Sequence, residues 1–315
     1  MAKSTTSRRR GGRILQFAAL GVVLLSGLVV TSVFLLTERI ADNIVRIPAF
    51  GSLAAGARPP DTAALTVLLI GDDTRVEPSA QGDAVLLVQL SPDHGRATIV
   101  ALPDDSWVEI PGREAGTIAS AYSEDDPGPL VGAVEQLTAV HIDHVMTVDF
   151  ARFGPVVDAT RGIDVPRGGG HLDGAAALVY VRPQSDADLG RAERQQDVLR
   201  AVFAKLAAPA TLADPPAFYE LLEELSRSLR LDTTLSNGDL RSAALLAALR
   251  RPGVMSLVAP VADRERYGTQ SVAHLDPVRS AQLWTALRSD AAAEYAALHP
   301  QDLLDAASGG ASAPP

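Results

Sequence analysis

The stretch Leu65-Thr66-Val67-Leu68-Leu69-Ile70-Gly71-Asp72-Asp73-Thr74-Arg75 decides the fold. Its first six residues form a short uncharged run closed by a glycine, the pattern of a buried strand. The polar residues follow at once, so the strand opens into a loop, where folds usually carry their chemistry. Working outward, Ala84–Leu90 and Ala97–Leu102 predict two further strands, and the Pro92-Asp93-His94-Gly95 turn between them predicts a hairpin. Leu130–Leu137 reads as a helix, Val145–Phe150 as a strand and Gly190–Leu206 as a helix. Ala/Leu-rich helices are expected around 217–230 and 239–250, then a strand over 254–261 and a helix near 277–288. Strands interspersed with helices define an α/β (α+β layered) domain.

The flanks carry a second message. Of the chain's 315 residues, 28 are basic and 38 acidic, for a net charge of −10. Lys3, Arg8, Arg9, Arg10 and Arg13 all precede the first acidic residue, so the remainder carries a net of −15. Duplex phosphates would repel so acidic a chain, which excludes a general nucleic-acid binder. The absence of cysteine excludes disulfides, thiolate metal sites and a cysteine nucleophile.

Ile14–Leu36 is uncharged for 23 residues. At about 1.5 Å per residue it reaches roughly 34 Å, enough to cross a hydrocarbon core of about 30 Å. The basic cluster before it stays cytoplasmic, so the bulk of the chain is expected outside a cell membrane crossed once. A cleaved signal peptide is the competing reading, but the run exceeds the usual h-region of about 7–15 residues and no small-x-small site follows Leu36. The expected organisation is a basic tail (1–13), a transmembrane signal anchor (14–36) and a connector (37–62). A catalytic or lipid-binding domain (63–210), a C-terminal helical extension packed on it (211–304) and a disordered tail (305–315) follow.

Three polar clusters could hold the chemistry. Gly71–Arg75 follows the first strand and Gly82-Asp83 precedes the next. Carboxylates on adjacent strand ends can converge on a hard cation such as magnesium, and the same residues are equally compatible with two polar turns. The third cluster is Tyr180-Val181-Arg182, Asp186, Asp188 and Gly190–Gln196. On a helix turning about 100° per residue, Arg191, Gln195, Val198 and Val202 fall within roughly 60° of one another. Arg191 and Gln195 therefore face the interior, where an unpaired charge is costly. A phosphate and a buried carboxylate, with Asp186 or Asp188 as candidates, both satisfy that requirement. His141 and His144 read as structural or surface histidines, and His171 as part of a turn before a helix. No Gly-x-Ser-x-Gly elbow is present.

In this order behind one membrane span, the clusters resemble the LytR-CpsA-Psr (LCP) family of cell-envelope phosphotransferases. The resemblance runs from about Leu65 to Leu206. Thr66–Arg75 matches the family's opening strand and Gly-x-Asp-[Ser/Thr]-Arg loop, and Gly82–Val88 its Asp-led second strand. Leu102–Gly112 follows its Pro-Arg-Asp-x-x-Val-x-Ile-Pro-Gly segment, and His171–Gly174, Tyr180–Arg182 and Arg191–Gln196 complete the set. Membership implies a mixed central β-sheet flanked by helices, with an apolar channel for a polyprenyl chain and a pyrophosphate at its mouth. It implies transfer of a glycopolymer from a polyprenyl-pyrophosphate carrier to a peptidoglycan acceptor through a phosphodiester. By motif, Asp73 and Asp83 would bind Mg2+. Arg75, Arg182, Arg191 and Gln195 would be catalytic, contacting or orienting the pyrophosphate, and Arg194 and Asp105 would bind substrate.

Two departures stand out. Asp104 and Gln184 occupy positions where the family usually has arginine, a change of −3 in pocket charge, and Ser123-Glu124-Asp125-Asp126 replaces the usual Gly-Gly. Losing one preorganised donor costs on the order of 10²–10³ in rate. Arg113, Arg161 and Arg167 are candidate substitutes from other loops. The resemblance thus supports an active polymer transferase, and the departures favour a divergent relative that binds polyprenyl phosphate or scaffolds wall partners without efficient turnover. A transcription regulator finds no DNA-binding motif.

Overall fold

The structure, a computed structural model, describes residues 41–53, 56, 58–72, 84–149, 152–165, 170–181, 194, 197–198, 201–202, 205, 208–212, 214–239, 242, 253–267 and 270–303. The chain divides into two units, Met1–Asn43 and Ile44–Pro315; in the first only residues 41–43 are described, and they are helical. The expected anchor over 14–36, the basic tail and the C-terminal tail from 305 lie outside the described residues. Among the described residues no helix is long and apolar enough to cross a membrane.

The second unit is built on seven strands. In chain order these are β1 (Val45–Ile47), β2 (Leu65–Asp72), β3 (Ala84–Leu90), β4 (Arg96–Leu102), β7 (His144–Asp149), β10 (Leu229–Asp232) and β11 (Gly253–Val258). They lie in the order β1-β10-β7-β2-β3-β4-β11. β2 runs antiparallel to β3 and parallel to β7, and β4 is antiparallel to β3 and parallel to β11, so the sheet is mixed. Among the described residues three small two-stranded ribbons accompany the sheet: β5 (Trp107–Val108) with β6 (Gly116–Thr117), β8 (Ile163–Val165) with β9 (Gly170–Leu172), and β12 (Val261–Tyr267) with β13 (Gln270–Leu275).

Helices cover both faces, which is why β2 carries an unbroken apolar run rather than an alternating one. Leu68, Ile70, Val85, Leu87 and Val100 pack on one side against α1 (Gly128–Thr138), α5 (Pro277–Arg288) and α6 (Ala292–Leu298). Leu69, Leu86, Ala101 and Val148 pack on the other against α2 (Phe153–Ala159), α3 (Gly174–Val181) and α4 (Pro215–Ser228). That side also takes Val198 and Val202, each 1% exposed, so these two members of the apolar stripe predicted for the helix over 190–206 face the core. The described residues 194, 197, 198, 201, 202 and 205 are helical. α4 and α5 start where Asp214 and Asp276 cap them ahead of a proline; the Asp276 carboxylate accepts from Val278 N (3.0 Å) and Arg279 N (2.9 Å). α2 and α3 approach so closely that a Cβ on Gly174 would sit 2.3 Å from the Gly154 carbonyl oxygen, which makes glycine necessary there.

The region after 210 is more than a helical extension. It supplies β10 and β11 to the central sheet and adds the β12–β13 hairpin. The helix expected over 217–230 stops at Ser228, because Leu229–Asp232 pairs with β7 and β1. Most of the helix expected over 239–250 lies outside the described residues. The connector also takes part in the fold. β1 joins the sheet, and Arg58 grips the buried Glu135 carboxylate with two nitrogens while its guanidinium stacks 4.6 Å from the Phe50 ring. His171 belongs to β9 rather than to a turn, with Nδ1 2.9 Å from Asp164.

Candidate active site

One edge of the sheet collects the loops. β2 and β7 end side by side at Asp72 and Asp149, and β3 begins at Ala84, the register partner of Gly71. β4 ends at Leu102, opposite Val85, β11 runs parallel to β4 and ends at Val258, and β10 begins at Leu229, opposite Val148. Open α/β sheets bind ligands at such carboxyl ends. Residues 73–83, between Asp72 and Ala84, lie outside the described residues. With them go the expected metal ligands Asp73 and Asp83 and the expected catalytic Arg75. Arg182, Arg191, Gln195, Gln184 and Arg167 also lie outside the described residues.

The described residues at this edge form a buried polar cluster not anticipated from the sequence. Asp72 is 3%, Asp149 5%, Thr147 1% and Arg230 9% exposed. Tyr122 donates its hydroxyl hydrogen to Asp72 Oδ2 at 2.8 Å. Burial, and then the neighbouring Asp72 carboxylate, push the Tyr122 hydroxyl well above its ordinary range, so it remains a donor. Arg230 pairs with Glu124, and Arg152 Nε lies 3.4 Å from Asp149 Oδ2. Buried charges require such partners. The first Asp of Gly71-Asp72-Asp73 and the Ala121-Tyr122 pair were the available signals; neither reveals a contact across 50 residues.

The acid added by residues 123–126 is largely engaged. Glu124 neutralises Arg230, while Asp126 Oδ1 accepts from Ser52 Oγ (2.9 Å) and from Gly128 N (3.1 Å) at the start of α1.

At the end of β4 stands a second corner. Asp104 Oδ1 accepts from Asp105 N at 3.0 Å, and its carbonyl accepts from Ala119 N at 2.9 Å. Burial, followed by the like charge of Asp105, pushes the Asp104 carboxyl up to about 6; the Arg264 guanidinium opposes that rise. Asp105, expected to touch substrate, directs Oδ1 toward Arg264 Nη2 at 3.7 Å. Its carbonyl accepts from Ala273 N at 2.9 Å, fastening the β12–β13 hairpin to this corner.

Two of the arginines considered as substitutes, Arg113 and Arg161, are described. Arg113 is exposed in the β5–β6 turn, and Arg161, 84% exposed, follows the end of α2 remote from Asp149 and lies 3.7 Å from Asp214. Arg194, expected to bind substrate, donates Nε–H to the Tyr180 carbonyl at 2.7 Å and so ties its helix to α3. His141 contacts the Pro59 carbonyl (2.9 Å) and Asp61 (3.0 Å), and His144 contacts Asp232 (3.2 Å). Among the described residues no group of three or more His, Asp or Glu side chains could hold a metal ion.

A three-layer α/β protein with buried carboxylates and arginines gathered at one sheet edge is the class that fold and site define. The chain belongs to the LytR_cpsA_psr family, whose model matches residues 54–167 and 160–289. It is 27% identical over 321 residues to the Corynebacterium glutamicum protein named "Probable cell wall biosynthesis protein LcpB", covering 91% of this chain and 73% of that one. It is 27% identical over 205 residues to the Bacillus subtilis polyisoprenyl-teichoic acid–peptidoglycan teichoic acid transferase TagT, covering 56% of this chain and 63% of that one. The chain thus spans less than two thirds of the length of TagT. Solved structures share the fold. The LytR-Csp2A-Psr enzyme from Actinomyces oris matches with a TM-score of 0.58 at 20% identity, over 78% of this chain and 97% of that one. TagT bound to LI-WTA matches with a TM-score of 0.58 at 22% identity, over 76% and 98%.

Proposed function

We propose that this chain is a membrane-anchored, extracytoplasmic phosphotransferase that moves a glycopolymer from a polyprenyl-pyrophosphate carrier to a peptidoglycan hydroxyl. The observation that carries the reading is the convergence, at one sheet edge, of the strand ends flanking loop 73–83 with the Asp72–Tyr122 and Arg230–Glu124 pairs, in a chain whose relatives include teichoic acid–peptidoglycan transferases.

In the proposed reaction the acceptor oxygen bonds to the glycan-side phosphorus while the bond from that phosphorus to the bridging oxygen breaks. Polyprenyl phosphate leaves with the electron pair, the acceptor's proton passes to water, and a glycan phosphodiester remains on peptidoglycan. Arg75, Arg182 and Arg191 would hold the phosphates, with Gln195 orienting them and Arg194 bracing the helix through Tyr180. Catalysis of this kind is positioning plus charge stabilisation. Asp73 and Asp83 suit a hard cation: they stand next to Asp72 and Ala84, where the paired Gly71 and Ala84 hold the two ends of the loop side by side. Mg2+ held there would neutralise charge on the phosphates. An open apolar depression of about 460 Å3 on α3, lined by Leu172, Ala175, Ala176, Val179 and Tyr180, supports a seat for the first prenyl units just before Arg182.

A second reading, a relative that binds polyprenyl phosphate without efficient turnover, draws on the half-buried carboxylate of Asp104 at this edge. Incubating the full-length chain in mild detergent with Mg2+ and a polyprenyl-pyrophosphate glycan separates the two. Release of polyprenyl phosphate, lost in Asp73→Ala and Arg75→Ala, supports the transferase. A silent wild type that gains activity on combined Asp104→Arg and Gln184→Arg substitution supports the binding protein.

A further inference from the structure

The β12–β13 hairpin has no assigned role, yet it docks on the active edge through its backbone. Ala273 N donates to the Asp105 carbonyl at 2.9 Å, Ser106 and Ala273 form a parallel bridge, and Asp276 N closes the hairpin's base on the Pro260 carbonyl at 2.8 Å. Val272 (1% exposed) and Ala273 (0%) are buried in that seat. Backbone bonds and these two buried side chains therefore seat the hairpin on the corner.

Those charges alternate: Asp263, Arg264, Glu265, Arg266. On a strand successive side chains point to opposite faces, so Arg264 lies on the face of Ala273, its cross-strand partner, and Asp263 and Glu265 lie on the other. This brings Arg264 Nη2 to 3.7 Å from Asp105 Oδ1, with Asp104 close enough to sense its charge. At 3.7 Å the contact is an ion pair outside hydrogen-bonding reach. Asp105's side chain is 17% exposed and Arg264's is 43% exposed. A guanidinium has five N–H donors in a planar fork suited to phosphate, and none of them is committed to Asp105.

We infer that Arg264 is a substrate-recognition residue, presented by the hairpin to the pyrophosphate of the lipid-linked donor across the Asp104–Asp105 corner. The inference rests on the proposed transferase reading. Without Arg264 the two carboxylates of the corner would lose the guanidinium that faces them. With it, a preorganised and half-exposed guanidinium offsets one of those charges and offers a bidentate fork.

The test uses the full-length chain and two readouts. One is the affinity of inorganic pyrophosphate by calorimetry, and the other is donor KM and kcat with lipid donors carrying a neutral or an anionic glycan. Arg264→Ala is expected to weaken pyrophosphate binding about tenfold, the loss of one charge-assisted hydrogen bond. Donor KM should rise by a similar factor for both donors with little change in kcat. Arg264→Lys should recover part of the loss, and Glu265→Gln, on the other face, should leave both readouts unchanged. Unchanged pyrophosphate affinity in both Arg264 variants would overturn the inference, as would an effect confined to the anionic-glycan donor, which would assign Arg264 to the polymer instead. If wild type transfers nothing but pyrophosphate binding still falls in Arg264→Ala, the transferase reading fails while the Arg264 site stands. Should Arg264→Ala fail to fold, Arg264→Gln and Arg264→Lys carry the same comparison.

Discussion

Replacing Asp104 by asparagine should stabilise the protein, and only on one side of a definite pH. Burial and the like charge of Asp105 push the Asp104 carboxyl from 3.8 up to about 6, so folding favours its protonated form. A carboxyl whose folded pKa is raised lowers stability as pH climbs from about 4 to about 6, and the loss is complete above that window. At about 1.4 kcal/mol per pH unit, the full penalty is about 3 kcal/mol. The asparagine side chain of Asp104→Asn keeps the oxygen that accepts from Asp105 N and carries no charge at any pH. Urea unfolding of the full-length chain, followed by fluorescence of Trp107 and the buried Trp284, gives the difference directly. The expected gain is about 2–3 kcal/mol at pH 8 and close to zero at pH 4. A variant no more stable than wild type at pH 8, or equally stabilised at both values, would refute the argument.

Three further outcomes follow from the packing. Glu135→Ala should cost about 3–5 kcal/mol, because it strands the Arg58 guanidinium and leaves Ile142 N without its carboxylate acceptor at 2.9 Å; denaturant midpoints measure this. Burial pushes the Asp232 carboxyl up, but hydrogen bonds from His144, Thr234 and the Val145 and Thr234 amides outweigh it and hold the group down at about 2. Its stabilisation is present above about pH 4 and disappears as pH falls toward 2, so Asp232→Asn should cost about 1–2 kcal/mol at pH 7, after allowing for solvent screening, and almost nothing near pH 2, read from unfolding at the two pH values. Tyr122→Phe removes the hydroxyl donor to Asp72 and should cost about 1–3 kcal/mol while reducing transfer, seen by comparing midpoints and rates in one preparation.

Much of the central sheet could be read from local pattern alone. Leu65–Ile70, Ala84–Leu90 and the Pro92–Gly95 turn carry their own signals: an apolar run buried on two faces, and a turn that fixes the register of a hairpin. The β12–β13 hairpin could not be read in this way. Its seat comes from Val272 and Ala273 and from backbone bonds to Asp105, while Asp263–Arg266 is four consecutive charged residues with no apolar pattern to mark a strand. Leu229 and Arg230 read as the tail of the preceding helix, because only pairing with β1 and β7, distant in sequence, makes them part of a strand. The same limit applies to the site. Asp104 could be recognised as an anomalous carboxylate, but the guanidinium facing it comes from 160 residues further along, a separation that no spacing rule bridges. Arg230 with Glu124, and Tyr122 with Asp72, are likewise pairs that only the fold brings together.

The central claim is that this chain transfers a glycopolymer through a phosphodiester. Its most direct measurement supplies the full-length chain with Mg2+, a radiolabelled polyprenyl-pyrophosphate glycan and peptidoglycan, then digests the wall and identifies the labelled fragment. The account predicts label joined to a peptidoglycan sugar through one phosphate, at a yield that collapses in Arg75→Ala. Wall free of label, with the lipid donor recovered intact from the wild-type reaction, would contradict it.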